Sequence, residues 1–182
     1  MAANLDPRMS VFNTAIGWIG VSGRGKVISN VTIGNSSQAA AAKRLIAAME
    51  GSCSTGDWNL SLKRRLEDFA DGMPVDFLDF DLEMGHLSPF MRLVVEKCRQ
   101  ISYGETKSYG ELAAMAGSPR AARAVGNTMR SNRCPLVVPC HRIVHSDGRI
   151  GNFSAPQGMK LKERLLAMEA SSRGISRQLA LC

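Results

Sequence analysis

Two apolar runs near the start of the chain, Ile16-Gly-Trp-Ile-Gly-Val and Lys26-Val-Ile-Ser-Asn-Val-Thr-Ile, flank a Ser-Gly-Arg-Gly turn and predict a β-hairpin. A helix should follow, capped by Ser36 or Ser37, running through Met49 and ended by Gly51. Asn59 is placed to cap a second helix through Phe69. From Asp76 to Glu83 the pattern alternates, which predicts a strand with Leu78, Phe80 and Leu82 on one face and Asp79, Asp81 and Glu83 on the other. Three carboxylates on a strand face suit Mg²⁺ in a nuclease, but no basic or histidine partner accompanies the run. The reading adopted is therefore a solvated face of a half-buried strand.

After a linker at Gly85-His86-Leu87 the period changes to that of helices. Ser88 as N-cap and Pro89 at the first position open a helix whose apolar face uses Phe90, Leu93, Val94 and Ile101, with Cys98 in the same stripe. Ser108-Tyr-Gly-Glu111 is a capping box, and its helix runs through Leu112 and Met115 to a stop at Gly117. Ser118-Pro119 restarts the chain at once. The next helix puts Ala121, Ala122, Val125 and Met129 on one face and Arg120, Arg123, Asn127 and Arg130 on the opposite one. Two short helices joined by a glycine turn, the second with a basic polar face, predict a helix-turn-helix. Ala121, Ala122, Ala124 and Gly126 surround Arg123, so this helix can approach a surface closely while the arginine projects furthest. That suits a narrow groove and sequence-independent contact rather than base reading in the wide one.

Charge sharpens the division. Residues 1–87 carry 8 Lys+Arg against 10 Asp+Glu, net −2, whereas residues 88–182 carry 15 against 6, net +9. The cationic half is the electrostatic footprint of a polyanion-binding surface, with double-stranded DNA as the expected partner. A hydrophobic fraction of 45% with 21% charged residues describes an ordinary globular protein of 182 residues. No segment is apolar for long enough to span a bilayer, and Met1 to Ser10 lacks the features of a secretory signal. The expected setting is an intracellular, reducing one, cytoplasmic or, in a eukaryote, nuclear, with no membrane partner. Five irregularly spaced cysteines (Cys53, Cys98, Cys134, Cys140, Cys182) argue against a disulfide framework and permit a free reactive thiol.

The leading chemical candidate is Pro139-Cys140-His141-Arg142-Ile143, just downstream of the helix-turn-helix. The thiolate is the nucleophilic form of cysteine, and a neighbouring imidazole that takes its proton is the usual means of supplying thiolate near neutral pH. Cysteine is also a common core residue, so the dipeptide alone is weak and its flanks must decide.

Those flanks resemble the O6-alkylguanine-DNA alkyltransferases, also called methylated-DNA-protein-cysteine methyltransferases. The resemblance rests on Ser108-Tyr-Gly-Glu-Leu-Ala113, Ala122-Arg-Ala-Val-Gly-Asn-Thr-Met-Arg-Ser-Asn132, Val138-Pro-Cys-His-Arg-Ile-Val144, Gly148-Arg-Ile-Gly-Asn-Phe153 and Lys162-Glu-Arg-Leu-Leu-Ala-Met-Glu169, in that order. It covers residues 88 to 170, while the N-terminal half fits the family by pattern only. The fold it implies is α+β: a ribonuclease-H-like α/β domain over residues 1–87, then a mostly helical, winged-helix-like helix-turn-helix domain over residues 88–182. It further implies a flipped O6-alkylguanine as substrate and an irreversible, single-turnover transfer to Cys140, with no cofactor and the protein acting as a monomer. In that scheme His141 accepts the thiol proton through a water and is held by Glu169. Asn132 ties the helix-turn-helix to the active-site turn, and Tyr109 crowds the neighbouring phosphate and donates to the base. Arg123 fills the vacated stack, within a DNA-facing surface of Ala121, Ala122, Ala124, Gly126, Asn127 and Arg130. Ile143, through its backbone, Phe153 and Ser154 line the guanine pocket.

Some family members hold zinc, but residues 1–87 contain one cysteine, Cys53, and one histidine, His86, too few for four protein ligands. A second zinc set, Cys134, Cys140, His141 and His145, would consume the nucleophile and lacks a paired Cys-x-x-Cys pattern, so no metal is expected. Two other functions compete. A lesion-binding relative without catalysis would lack the cysteine, and Cys140 is present. A helix-turn-helix regulator would carry base-reading side chains and a dimerisation surface, and neither is evident.

Overall fold

The computed structural model describes residues 6–49 and 53–179, with side chains as far as Ser171. The Gly51 stop and Cys182 lie outside the described residues. Among those residues no helix is long and apolar enough to cross a membrane.

The hairpin forms as its pattern demands, and two further strands extend it on one side. Strands β1 (Arg8–Thr14), β2 (Gly17–Arg24) and β3 (Val27–Asn35) pair antiparallel in sequence, and the short β4 (Ser54–Thr55) runs parallel to β1, giving the order β3-β2-β1-β4. Strand β1 escaped the sequence reading because polar Ser10, Asn13 and Thr14 interrupt its apolar residues. Its position inside the sheet comes from neighbours on both edges rather than from its own alternation. Helix α1 (Gln38–Ala48) begins at Ser37, whose hydroxyl accepts from the Ala40 amide. Helix α2 (Leu60–Ala70) begins at Asn59, which takes up φ +52° and accepts from Leu62 N, a geometry Asn tolerates better than most residues.

The expected strand at Asp76–Glu83 is not one. Phe77 and Phe80 are both buried, Leu78 is 55% exposed, and only Leu82 bridges to a strand residue, Ile28. Helical contacts drive the difference: the Arg99 guanidinium gathers the carbonyls of Phe77, Leu78 and Phe80 at 2.6, 3.3 and 2.7 Å, which folds the segment into a turn. Nor are the carboxylates unaccompanied, because Arg65 makes a two-pronged contact with Asp79 at 2.6 and 3.2 Å.

Helix α3 (Pro89–Arg99) starts at Ser88 as expected, but its inner face is Val94, Val95 and Cys98, with Ile101 beyond its end; Leu93 is turned out and 45% exposed. Both bonds of the Ser108–Glu111 capping box are made at the start of α4 (Tyr109–Met115), and Gly117 stops that helix at φ +76°. One turn at Ser118–Ala121 leads into α5 (Ala122–Arg130), which buries Val125, Thr128 and Met129 and exposes Arg123, Asn127 and Arg130. The short β5 (Lys107–Ser108) and β6 (Ile143–Val144) pair in parallel and fix the start of α4 to the chain that leaves Cys140. Helix α6 (Met159–Leu179) closes the structure. Arg164 donates to Ala15 O at 2.6 Å, and Gln157, just before the helix, donates to Gly34 O at 2.9 Å. One hydrophobic cluster runs from Ile19 and Val21 of the sheet through Phe69 and Val94 to Leu112, Val125 and Leu165.

Candidate active site and nucleic-acid-facing surface

Cys140 opens a single 3₁₀ turn, Cys140–Arg142, and is 7% exposed. Its side-chain partner is Asn132. The Asn132 Nδ2 donates to Cys140 Sγ and to Val138 O, both at 3.0 Å, while its Oδ1 accepts from Cys134 N at 2.9 Å. One amide thus holds the end of α5 and both arms of the loop before the nucleophile. The adjacent His141 makes no direct hydrogen bond to the thiol among the described residues, since its imidazole turns to Glu169. Burial pushes the Cys140 thiol above its ordinary range, and the Asn132 hydrogen bond and the Lys162 charge oppose the shift without reversing it. The resting group is the thiol.

His141 is fully buried, and its Nε2 lies 2.8 Å from Glu169 Oε1 on α6. Glu169 in turn accepts from Arg142 Nε and Nη2 at 3.0 and 2.9 Å and from Gly104 N at 2.8 Å. Burial alone would raise this carboxyl; the hydrogen bonds and charges of His141 and Arg142 overcome it and hold the group at about 2. Burial also lowers His141 despite the carboxylate, so the imidazole is neutral near pH 7. A carboxylate accepts only, so Nε2 carries the proton and Nδ1 the lone pair. Among the described residues that Nδ1 has no hydrogen-bond partner. The N-terminal half contributes a wall: Phe69 of α2 meets the His141 ring edge-on, with centroids 5.9 Å apart.

Above Cys140 opens a cavity of about 420 Å³, walled on one side by Arg123, Asn127 and Arg130 of α5 and on the other by Tyr109 and Phe153. None of Arg120, Arg123 and Arg130 enters an ion pair among the described residues. Ala122 and Gly126 line the same cavity, and Ser154 sits in its wall with its hydroxyl donated to Arg130 O at 2.9 Å. Tyr109 is wedged in place: a Cβ on Gly151 would lie 2.6 Å from its hydroxyl, and its ring is 5.4 Å from that of His145.

Three expected site residues stand apart. Ala121 packs on the core, Ala124 faces a neighbouring groove between α3 and α5, and Ile143 is wholly buried in β6, where its carbonyl accepts from Lys162 Nζ at 2.5 Å. The four residues weighed as a zinc set also diverge, since Cys134 reaches Ser29 O, His141 turns to Glu169, and His145 turns to Tyr109. Arg142 and Lys162 were not assigned roles from sequence. Lys162 was within reach of pattern reasoning, because helical spacing puts it on one face with Leu161, Leu165 and Glu169, where a lysine among leucines marks a paired, buried cation.

A two-helix module thus presents a basic face beside a buried cysteine. Residues 89–171 match the family model of the 6-O-methylguanine DNA methyltransferase DNA-binding domain. The mouse methylated-DNA–protein-cysteine methyltransferase is 52% identical over 86 residues, 47% of this chain and 40% of the mouse protein; the match spans about two fifths of that relative's length. A DNA base-flipping protein of Thermus thermophilus is 41% identical over 105 residues, 56% of this chain and 68% of that one. Among solved structures, Mycobacterium tuberculosis OGT in complex with DNA superposes with a TM-score of 0.75 at 27% identity, over 90% of this chain and 93% of the other. The chain has their mixed α+β fold and belongs to the 6-O-methylguanine DNA methyltransferase family.

Proposed function

We propose that the protein repairs DNA by direct reversal, drawing an O6-alkylated guanine out of the duplex and taking the alkyl group onto Cys140. The observation that carries this reading is a single cavity bounded by both the thiol and the unpaired cationic face of α5. A buried sulfur cannot reach a base inside the stack, so the nucleotide must leave it. Arg123, exposed and in no ion pair among the described residues, fills the gap, since a planar guanidinium both stacks and donates. Ala122 and Gly126 let the backbone come close, and Asn127 and Arg130 meet phosphate. Tyr109 crowds the phosphate beside the flipped base and offers its hydroxyl to that base, which rests against Phe153 and Ser154.

As sulfur attacks the alkyl carbon, the thiol proton passes through a water to His141 Nδ1, and Glu169 steadies the imidazolium that results. The S–C bond forms as the C–O pair leaves with guanine, whose missing proton is then restored. A thioether presents water with no good leaving group, so each molecule reacts once. The finer fold reading agrees: three antiparallel strands with a fourth parallel to β1 suit a ribonuclease-H-like domain over residues 1–87, and α4–α5 with the β5–β6 pair suit a winged-helix-like domain over residues 88–182.

Intact-mass and peptide analysis after incubation with O6-methylguanine duplex tests the proposal. One methyl group per chain, at Cys140, is expected, with Cys140→Ser binding DNA but gaining none. Repeated turnover, or methylation of another cysteine, sinks it. Binding without mass gain would make the protein a base-flipping binder instead.

A further inference from the structure

Of the chain's three histidines, His141 is buried and His86 lies in the linker, whereas His145 stands in the wall of the cavity above Cys140. Register puts it there. In the parallel β5–β6 pair Ser108 sits opposite Val144, so the next residues, Tyr109 and His145, leave the pair side by side. Their rings lie 5.4 Å apart, and a Cβ on Gly151 would come within 2.6 Å of the Tyr109 hydroxyl and 3.3 Å of His145 Nε2. His145 is exposed at the base of a tight turn, with its N–H donating to Arg149 O and its carbonyl accepting from Gly148 N, both at 2.9 Å. Asp147 and Arg149 of that turn neutralise one another across 2.6 Å, whereas His145 enters no ion pair among the described residues. The net charge of the turn therefore depends on His145.

We propose that His145 is a proton-dependent phosphate contact: as imidazolium it grips the DNA backbone beside the flipped nucleotide, on the wall opposite the permanent charges of Arg123 and Arg130. The inference rests on the base-flipping reading, which sets a phosphate against Tyr109. Histidine gains its charge between about pH 8 and pH 5, and a neighbouring phosphate favours the charged form. The groups around it keep their states over that range. Burial raises the Tyr109 phenol and the Cys140 thiol, so both stay protonated. The backbone and side-chain donors of Arg149 hold the Asp147 carboxyl below its usual range, so it stays ionised. Arg123, Arg130 and Arg149 are cationic throughout. Because the charged imidazole attracts phosphate and the neutral one does not, duplex affinity should rise as pH falls.

Equilibrium binding of an O6-methylguanine duplex to Cys140→Ser protein, which lacks the sulfur nucleophile, supplies the test at about pH 6 and about pH 8. At low salt the affinity should be up to about fivefold tighter at the lower pH, the most that an exposed charge pair usually contributes. The slope of log affinity against log salt should be steeper there by about 0.9, the counterion release of one more phosphate contact. Adding His145→Gln should erase both differences, and adding His145→Lys should give tight, steep binding at both pH values. Adding His86→Gln should leave both differences in place. Equal affinities at the two pH values with His145 intact overturn the proposal. So does a difference that survives His145→Gln, a His145→Gln loss of the same size at both pH values, or a His145→Lys protein that binds like His145→Gln. A duplex that binds at neither pH, or no methyl gain when Cys140 is kept, would instead remove the underlying reading.

Discussion

The two sides of the cavity are built on opposite principles. Below, His141, Arg142 and Glu169 are almost completely buried, and the single carboxylate takes hydrogen bonds from His141, Arg142 and the Gly104 amide. Above, the arginines of α5 point into solvent with no ion-pair partner among the described residues. The buried side is organised before any substrate arrives, which is what proton handling requires. The exposed side leaves its charges unmatched so that a polyanion can match them.

The contrast is broken most severely at its buried pole. Glu169→Gln leaves the Arg142 guanidinium, the His141 imidazole and the Gly104 N–H facing an uncharged amide, and loss of one partner of a buried pair costs about 3–5 kcal/mol. Thermal unfolding should show a drop of that order together with loss of alkyl transfer; a variant as stable as the unmodified protein would mean the cluster is not what fixes α6. Acid adds a sign. Glu169 is held at about 2, below its ordinary 4.5, so its contribution is complete above about pH 4.5 and lost as pH falls through that value toward 2. In Glu169→Gln this part of the acid dependence should vanish.

At the exposed pole, Arg123→Ala should slow repair of duplex lesions by up to about a hundredfold, the equivalent of the few kcal/mol that unstacking a base costs. Reaction with the free alkylated base should be nearly untouched. Equal losses on both substrates would assign Arg123 to the fold or the thiol. The smallest effect belongs to Arg120→Ala and Arg130→Ala, each expected to weaken DNA binding modestly and to reduce the salt slope by about one. Unchanged salt slopes would show that α5 does not lie along the phosphates.

Local chemistry was the part legible in the sequence. The hairpin, the Ser37, Asn59 and Ser88 caps, the capping box at Ser108 and the polar edge of α5 depend on residues within a few positions of one another, and all are present. Misreadings arose where distant partners decide. The turn at Asp76–Glu83 exists because Arg99, about 20 positions later, collects its carbonyls. Cys140 and His141 are neighbours in the chain, yet the turn between them sends one side chain to Asn132 and the other to Glu169. Adjacency suggested the pair, and where each side chain turns is set by partners 8 and 28 positions away. Arg142 went unassigned because its carboxylate partner lies 27 positions away, whereas the helical spacing of Lys162 with Leu161 and Leu165 was a local signal left unread.

Glu169 follows His141 by 28 residues and reaches it through α6, whose start is fastened to the N-terminal sheet by Gln157, just before the helix, and by Arg164. That arrangement imposes a timetable on synthesis. At roughly 5–20 residues per second the ribosome releases Cys140 and His141 seconds before the helix that carries Glu169. Until that helix docks, Cys140 lacks the burial that raises its thiol in the finished fold, and the growing chain exposes an ordinary thiol. On the proposed single-use chemistry, the completed fold acts as a safety catch, because a molecule alkylated while unfinished would be spent before it could bind DNA.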